Sequence, residues 1–594
     1  MSDKTLAKKT HIELYSFVTY SMLFKNSRPS MSYLINKLRE LDLTETVILL
    51  AKLNLFLSEK KYGVNFSFQS KLIDTFFNDY YKEKLSKSPI NPISGNFVFH
   101  RHQLLFLLKY SLLNCMNVPN FSFLNVLNRY KFGPLCLVTS DFLKLTDYND
   151  DNLSSSTDDL KKEVIWKELL ASYELNIPAD LAFSICRMRK IVKFILPNMH
   201  RDQKFIDIER IFLRNTGLSI NDYMFLIFAV FAIYISRIDN ILTIPQTILI
   251  EEANFIGQSN ISPESINKLL QSLSLPLEQI KSDILSSKDC GFNYGFLTFR
   301  KYPLLRCFGN KYLCFDFRFL QDKIDGIFWQ INDGLETKVR NNFHAFWGSL
   351  FENYIKSFVE YALSTDKNVF VPNPSFDNVN DEVADGILDY GEDIVLLEYK
   401  FAILPQDAKY SDSIDQLIEQ IRIKYEKNQK GEWKGYGQLA NSLKKLLAKN
   451  NNSLCSHIKL EKIKRVFPVL ITYDHILNTP LTNYFFNKYF LSLIDRSLLI
   501  DHIEIMPLIL ITIEDFEAAE PFIKILNRLL CERIEYDNKL LFSFSDFLKN
   551  KKANDPSFSS SWVDNEYHQY FEDTKKALFP NKYQENKGNK IISF

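Results

Sequence analysis

The sequence predicts a multidomain chain: an all-α N-terminal region followed by an α/β domain built on a mixed central sheet. Three observations lead there. From residue 10 to about 240, apolar residues recur at three and four spacing; beyond 336, strand-like apolar runs alternate with helical stretches; and 594 residues exceed what one hydrophobic core serves.

The helical region, residues 1–240, carries segments such as "MSYLINKLRELDLTETVILLAKLNLFL" and "HQLLFLLKYSLLNCM", broken by Pro, Asn and Gly clusters. It is read as a recognition or regulatory domain. "TDYNDDNLSSSTDDLKK", residues 146–162, is too polar to build a core and reads as a solvated loop. The run "YMFLIFAVFAIYI", residues 223–235, is shorter than the roughly 20 residues a bilayer requires and reads as a core helix. Residues 241–335 form a mixed α/β connector, either a plain spacer or a winged-helix-like unit, in which Gly309-Asn310 supplies a hairpin turn. The α/β domain spans 336–548. It opens with a helix over 343–363 and a short strand at "NVFVP", followed by the hairpin "VADGILDYGEDIVLLEYKF" (383–401) and a helical segment over 412–449. Strands "RVFPVLITY" (465–473) and "PLILITI" (507–513) are apolar on both faces, as central strands covered by helices must be. Residues 549–594 read as a partly flexible tail.

Composition excludes several classes. Lys+Arg 72 against Asp+Glu 71 leaves a net charge of +1, which rules out coating a polyanion by bulk charge and leaves only a local basic site. Eight scattered cysteines contain no CxxC pair, so a zinc site is not expected and free thiols in a reducing compartment are. The N-terminus lacks a signal-peptide core, and the cytoplasm is the expected address. There is no GxxxxGK(S/T) phosphate loop, no GxSxG elbow and no HExxH helix. His100, Arg101 and His102 precede a helix without an acidic partner, and a capping or surface role is expected of them.

The hairpin carries the chemistry. A two-residue turn at Gly391-Glu392, with Gly first as a type II′ turn requires, sets Asp385 opposite Glu398. A four-residue loop would set Asp385 opposite Leu396, still on the face of Glu398. Period-two alternation puts Lys400 on that face too, with Leu397, Tyr399 and Phe401 behind. Two carboxylates about 5 Å apart across a strand pair repel, and a divalent cation, which takes oxygen ligands, reverses the sign. Glu352 lies on the stripe Gly348, Glu352, Ile355, Val359 of the preceding helix and either faces inward as a third carboxylate or reaches out to solvent. Between residues 420 and 450 the helical segment is basic, with Lys430, Lys434 and Lys444 among its cations and Trp433 and Tyr436 interleaved. That pattern suits either a nucleic-acid groove or the wet face of an amphipathic helix.

A helix with Glu, a strand with Asp, a turn and a strand with Glu-x-Lys, in that order, resembles the PD-(D/E)xK nuclease superfamily. The carriers are Glu352, Asp385, Glu398 and Lys400, with "ADGIL" and "LLEYKF" as motif strands. The resemblance covers roughly the last 200 residues and implies a restriction-endonuclease-like fold. The RecB-like and lambda-exonuclease-like branches add Gln-x-x-x-Tyr on the next helix; this chain has Gln438, with Ser442 where Tyr would fall. The resemblance implies a Mg²⁺-dependent nuclease, with Mn²⁺ as a substitute. Asp385, Glu398, the backbone carbonyl of Tyr399 and Glu352 would bind metal, Lys400 would orient the attacking water, and Gln438, Lys434, Lys430, Lys444 and Trp433 would contact nucleic acid, DNA being the expected substrate. By analogy, a helical-plus-nuclease chain without its own ATPase suits bacterial anti-phage defence or restriction, with a partner protein or ATPase in trans and no membrane. Homodimerisation would suit double-strand cutting. The rival reading is a non-catalytic nucleic-acid-binding or assembly protein that keeps the fold as scaffold.

Overall fold

The structure, a computed structural model, describes residues 16–24, 27–58, 66–87, 96–143, 158–176, 181–200, 205–236, 248–251, 262–287, 294–307, 311–364, 369–377, 381–411, 413–448, 458–554 and 559–578. The chain packs as two compact units, each assembled from separate stretches. The first takes residues 1–147, 230–255 and 270–320; the second takes 148–229, 256–269 and 321–594. This differs from the linear division that the sequence predicts. Residues 148–229 belong with the C-terminal segment, and most of the expected connector belongs with the N-terminal helices.

The first unit is helical, as its periodicity requires, and includes Leu43–Ser58, Arg101–Asn114 and Val126–Ser140. His100 starts the second of these with a capping box, its ring accepting from the Gln103 amide while the Gln103 side chain accepts from the His100 amide. A buried Arg101–Asp316 pair, at 2.6 Å, and Asn54, which donates to Asp316 at 2.7 Å, tie the helices to a four-stranded sheet of Ile250–Glu251, Lys311–Cys314, Leu304–Cys307 and Ser274–Pro276 in that order. The Gly309-Asn310 turn and residues 144–157 lie outside the described residues; 158–162 begin the helix Asp158–Asn176.

A short parallel pairing of Ser16–Phe17 with Asn96–Phe97 departs from the all-α region that the sequence predicts, and so does the packing of the four-stranded sheet, drawn from residues 250–314, into the same unit. The second unit holds a six-stranded sheet. Its long helix α1 (Thr337–Ala362) precedes strands β1 (Phe370–Pro372), β2 (Gly386–Asp389) and β3 (Asp393–Lys400). Helices α2 (Ile414–Tyr425) and α3 (Gly435–Leu446) lead to β4 (Arg465–Thr472), helix α4 (Thr482–Ser492) and strands β5 (Glu504–Ile505) and β6 (Ile509–Thr512). The order is β5-β4-β3-β2-β1, with β6 also paired to β4. β1, β2 and β3 form an antiparallel meander, whereas β3, β4 and β6 run parallel. One face of the meander carries Ile387, Ile394 and Leu396 into a core with Leu439, Ala440 and Leu443 of α3 and Phe485 and Phe486 of α4. The other face meets α1, where Phe351 packs on Phe401 at 6.0 Å. Both faces of β3 and β4 are therefore buried, which explains their unbroken apolar runs.

Part of the segment read as a tail is described. Phe544–Asn554 and Ser561–Leu578 are helices, and Trp562 and Tyr570 are buried. Among the described residues no single helix is long and apolar enough to cross a membrane. One bent pair, Ile208–Thr216 with Ile220–Ile235, passes by length and composition alone. The six described cysteines are all unpaired.

Candidate functional site

The turn between β2 and β3 decides what faces what. Gly391 has φ +89°, Glu392 is not among the positive-φ residues, and the Tyr390 amide donates to the Asp393 carbonyl at 2.9 Å, as in a two-residue II′ hairpin. Asp389 reinforces it by accepting from the Gly391 amide at 2.8 Å. Gly386 then pairs with Leu397, and one further step along this register brings Asp385 to Glu398. The Tyr399 amide donates to Asp385 Oδ2 at 2.5 Å. A strand residue presents its N–H and C=O on the same side, so the Tyr399 carbonyl is also turned toward the start of β2.

Glu398 is 2% exposed, and its Oε2 is buried without a hydrogen-bond partner. Burial first, and then the charge of Asp385, pushes its carboxyl well above the usual carboxylate range; Lys400 pulls the other way. Asp385 is raised from 3.8 to about 7, by burial and by the negative charge of Glu352, against the lowering effects of the Tyr399 amide and Lys400. Asp385 thus raises the cost of ionising Glu398, Glu352 raises that of Asp385, and Lys400 offsets part of both. Lys400 is half-buried at the end of β3.

Glu352 sits at the rim of this site. Its side chain is exposed on α1, the second of the two placements the helical stripe allowed, although its charge still acts on Asp385 and Glu398. Among the described residues no group of three or more His, Cys, Asp or Glu side chains is arranged to hold a metal ion. The buried face of α1 is filled by Phe351, Tyr354 and Ile355, which leaves position 352 at the rim. The buried oxygens that could hold a cation are those of the Asp385–Glu398 pair with the Tyr399 carbonyl. They fit a divalent cation, because a buried carboxylate oxygen has no partner and two acids share one site.

Two residues escaped the sequence reading. Thr472 of β4 stands beside Lys400 in the parallel register, fully buried with its hydroxyl unpartnered; only the pairing of distant strands could have brought it forward. Glu382 is exposed just before β2 and adds to the negative potential on both acids. Its signal is the run of acids in "NDEVAD", which begins before the hairpin.

The basic segment is not one helix. α2 ends at Tyr425 and α3 begins at Gly435, with a tight loop between. Lys430 is exposed, while Lys434 pairs with Glu432 at 3.1 Å. Gln438 is half-buried near the start of α3. Lys444 lies 5.6 Å from the centre of the Trp433 ring and Lys427 4.6 Å from it. Tyr436, read from sequence as a second stacking face, is fully buried; its hydroxyl donates to Glu426 at 2.9 Å. Ser442 is buried on α3. Comparison with family models, with curated proteins and with solved structures finds no match to this chain.

Proposed function

We propose that the second unit is a metal-dependent nuclease of the restriction-endonuclease-like kind, hydrolysing phosphodiester bonds in nucleic acid, with DNA as the first substrate to test. The observation that carries this reading is the buried, unpartnered carboxylate oxygen of Glu398 facing Asp385 across a strand pair. A fold has no structural use for two like charges there, since they cost stability until a cation compensates them. The element order supports the same reading: a helix, a three-stranded meander, helices, and then a strand parallel to the one that carries Glu-x-Lys.

In this reading Asp385 and Glu398, with the Tyr399 carbonyl, hold Mg²⁺. The bound cation would polarise the scissile phosphate and acidify the attacking water. Lys400, at the mouth of the site, orients that water and stabilises charge growing on the phosphate oxygens. Glu352 and Glu382 at the rim add to the negative potential that draws a cation in. Lys430, Lys434, Lys444 and Gln438 contact the backbone of the bound strand.

The test incubates the full chain with linear and circular duplex DNA, single-stranded DNA and RNA in Mg²⁺, Mn²⁺ or EDTA, beside Asp385→Ala and Lys400→Ala. Metal-dependent cleavage that disappears in both folded variants is expected, and cutting of circular DNA would make the activity endonucleolytic. Cleavage that survives in either variant, or that persists in EDTA, would remove the site from the reaction.

A further inference from the structure

The loop between α2 and α3 is a compact hairpin. The Asn428 amide donates to the Glu432 carbonyl at 2.9 Å, the Asn428 side-chain oxygen accepts from the amides of Lys430 and Glu432 at 3.0 Å each, and Gly431 turns the chain at φ +82°. Lys427 pairs with Trp433 in an antiparallel bridge, and the Lys434 amide closes onto the Glu426 carbonyl at 2.8 Å. Gly437 lets α3 approach so closely that a Cβ there would strike the Glu426 carbonyl oxygen. These contacts fix the backbone of the hairpin.

What it presents is one indole among cations. Lys427, Lys430 and Lys434 lie on the hairpin and Lys444 on α3, while the one acid between 427 and 434 is Glu432, already bonded to Lys434 and Asn428. Trp433 is half-buried and, among the described residues, touches no other aromatic ring; its neighbours are the ammoniums of Lys427 and Lys444, neither of which forms an ion pair there. Trp166, Trp347 and Trp562, by contrast, are buried against other rings. Lys445, next to Lys444, pairs with Asp381 just before β2, and α3 packs on the face that carries Ile387 and Leu396.

A π face ringed by lysine ammoniums offers two things at once. Phosphates can take the ammoniums while a base takes the ring, an exchange that is sequence-tolerant and open only to bases that are not paired. We infer that the Lys427–Lys434 hairpin, with Lys444, is a single-strand binding element that stacks an unpaired base on Trp433, so that the proposed nuclease acts on strands with unpaired bases beside the cut. The inference rests on the nuclease reading for its biological setting but not for its test.

That test is equilibrium binding by fluorescence anisotropy in EDTA, where no cleavage intervenes, using full-length protein with labelled oligo-dT, an abasic oligomer of equal length and a blunt duplex. Trp433→Ala should weaken oligo-dT binding about 10- to 100-fold, with Trp433→Phe keeping most of it and duplex binding unchanged. Wild type should prefer oligo-dT to the abasic strand. Lys430→Ala/Lys444→Ala should instead flatten the salt dependence for every nucleic acid. Oligo-dT binding unaffected in a folded Trp433→Ala, an abasic strand bound as well as oligo-dT, or an acidic peptide competing as well as oligo-dT at equal charge would each overturn the inference. Trp433-dependent binding in a protein that never cleaves in Mg²⁺ would uphold it while the nuclease reading fell. Cleavage without any such dependence would do the reverse.

Discussion

Asp385 and Glu398 sit where ionisation is unfavourable, and that has a sign which can be measured. A carboxyl whose pKa is higher in the folded than in the unfolded chain holds its proton more tightly when folded, so its contribution to stability falls as pH rises between the two values. For Asp385 the window runs from about 4 to about 7, and the cost is complete above it, at most about 4 kcal/mol and less where solvent screens the group. In EDTA, Asp385→Asn should therefore melt above wild type at pH 8, by roughly 2–6 °C, and alongside it at pH 4. Mg²⁺ should raise the wild-type Tm more at pH 8 than at pH 5.5 and leave the Asn variant unmoved. Differential scanning fluorimetry reads all of this, and a variant that melts below wild type at pH 8 in EDTA would refute the like-charge account. Lys400 separates binding from chemistry. Because it offsets both acids, Lys400→Ala should keep a Mg²⁺-induced shift at least as large as that of wild type, whereas single-turnover cleavage should fall by about 10²–10⁴. Loss of the shift with cleavage intact would reverse its assignment.

At the scale of the element, one turn sets the whole site. Gly391 has φ +89° with open space around the position a Cβ would take, so Gly391→Ala meets backbone strain and no clash. It should cost about 1 kcal/mol by denaturant melt and leave the fold intact; a change that also abolished the Mg²⁺ shift would mean that the register had slipped and carried Asp385 off the face. The hairpin was legible in the sequence because a two-residue turn, period-two alternation and a glycine at positive φ are all local rules. β4 and the body of α1 were legible for the same reason, through apolar runs and a helical stripe. What was not legible depends on distance along the chain. The rim position of Glu352 follows from how α1 rotates on the sheet, and the company of Thr472 with Lys400 from a parallel pairing across the α2–α3 crossover. The break at 426–434 did have its signal, Gly431 and Gly435 in "NQKGEWKGYG", both at positive φ. Basic periodicity on either side hid it, and Tyr436 was misread because its helical position points into the core.

The second unit as a whole depends on chain that the sequence assigned elsewhere. Arg187, in the helix Leu181–Lys190, makes a two-pronged contact with Glu517 at 3.0 and 2.8 Å and is buried with it. Tyr354 of α1 donates to the same carboxylate at 2.5 Å, and the Trp562 indole donates to Tyr354 at 2.9 Å. On the other side of the sheet Trp166 donates to Thr482 at 2.8 Å and stacks on Phe485 of α4 at 4.6 Å. Residues 158–200 and 559–578 thus each supply a buried aromatic or a charge partner to the sheet domain. A fragment of residues 336–548, the domain as read from sequence, would lose Trp166, Arg187 and Trp562 together. Glu517 would then be buried without its cation, a change that costs about 3–5 kcal/mol alone, and two apolar seats would open to water, in a domain whose net stability is of the order of 5–15 kcal/mol. Such a fragment should show no cooperative thermal transition by circular dichroism and no Mg²⁺ shift, while the full chain shows both. Within the full chain, Arg187→Met should cost several kcal/mol through the stranded Glu517 carboxylate, and Arg187→Met/Glu517→Met should recover much of it, because removing both charges leaves nothing unpaired. A 336–548 fragment that melts sharply, near the full-length Tm and with the metal shift intact, would show that the sheet domain needs none of these partners.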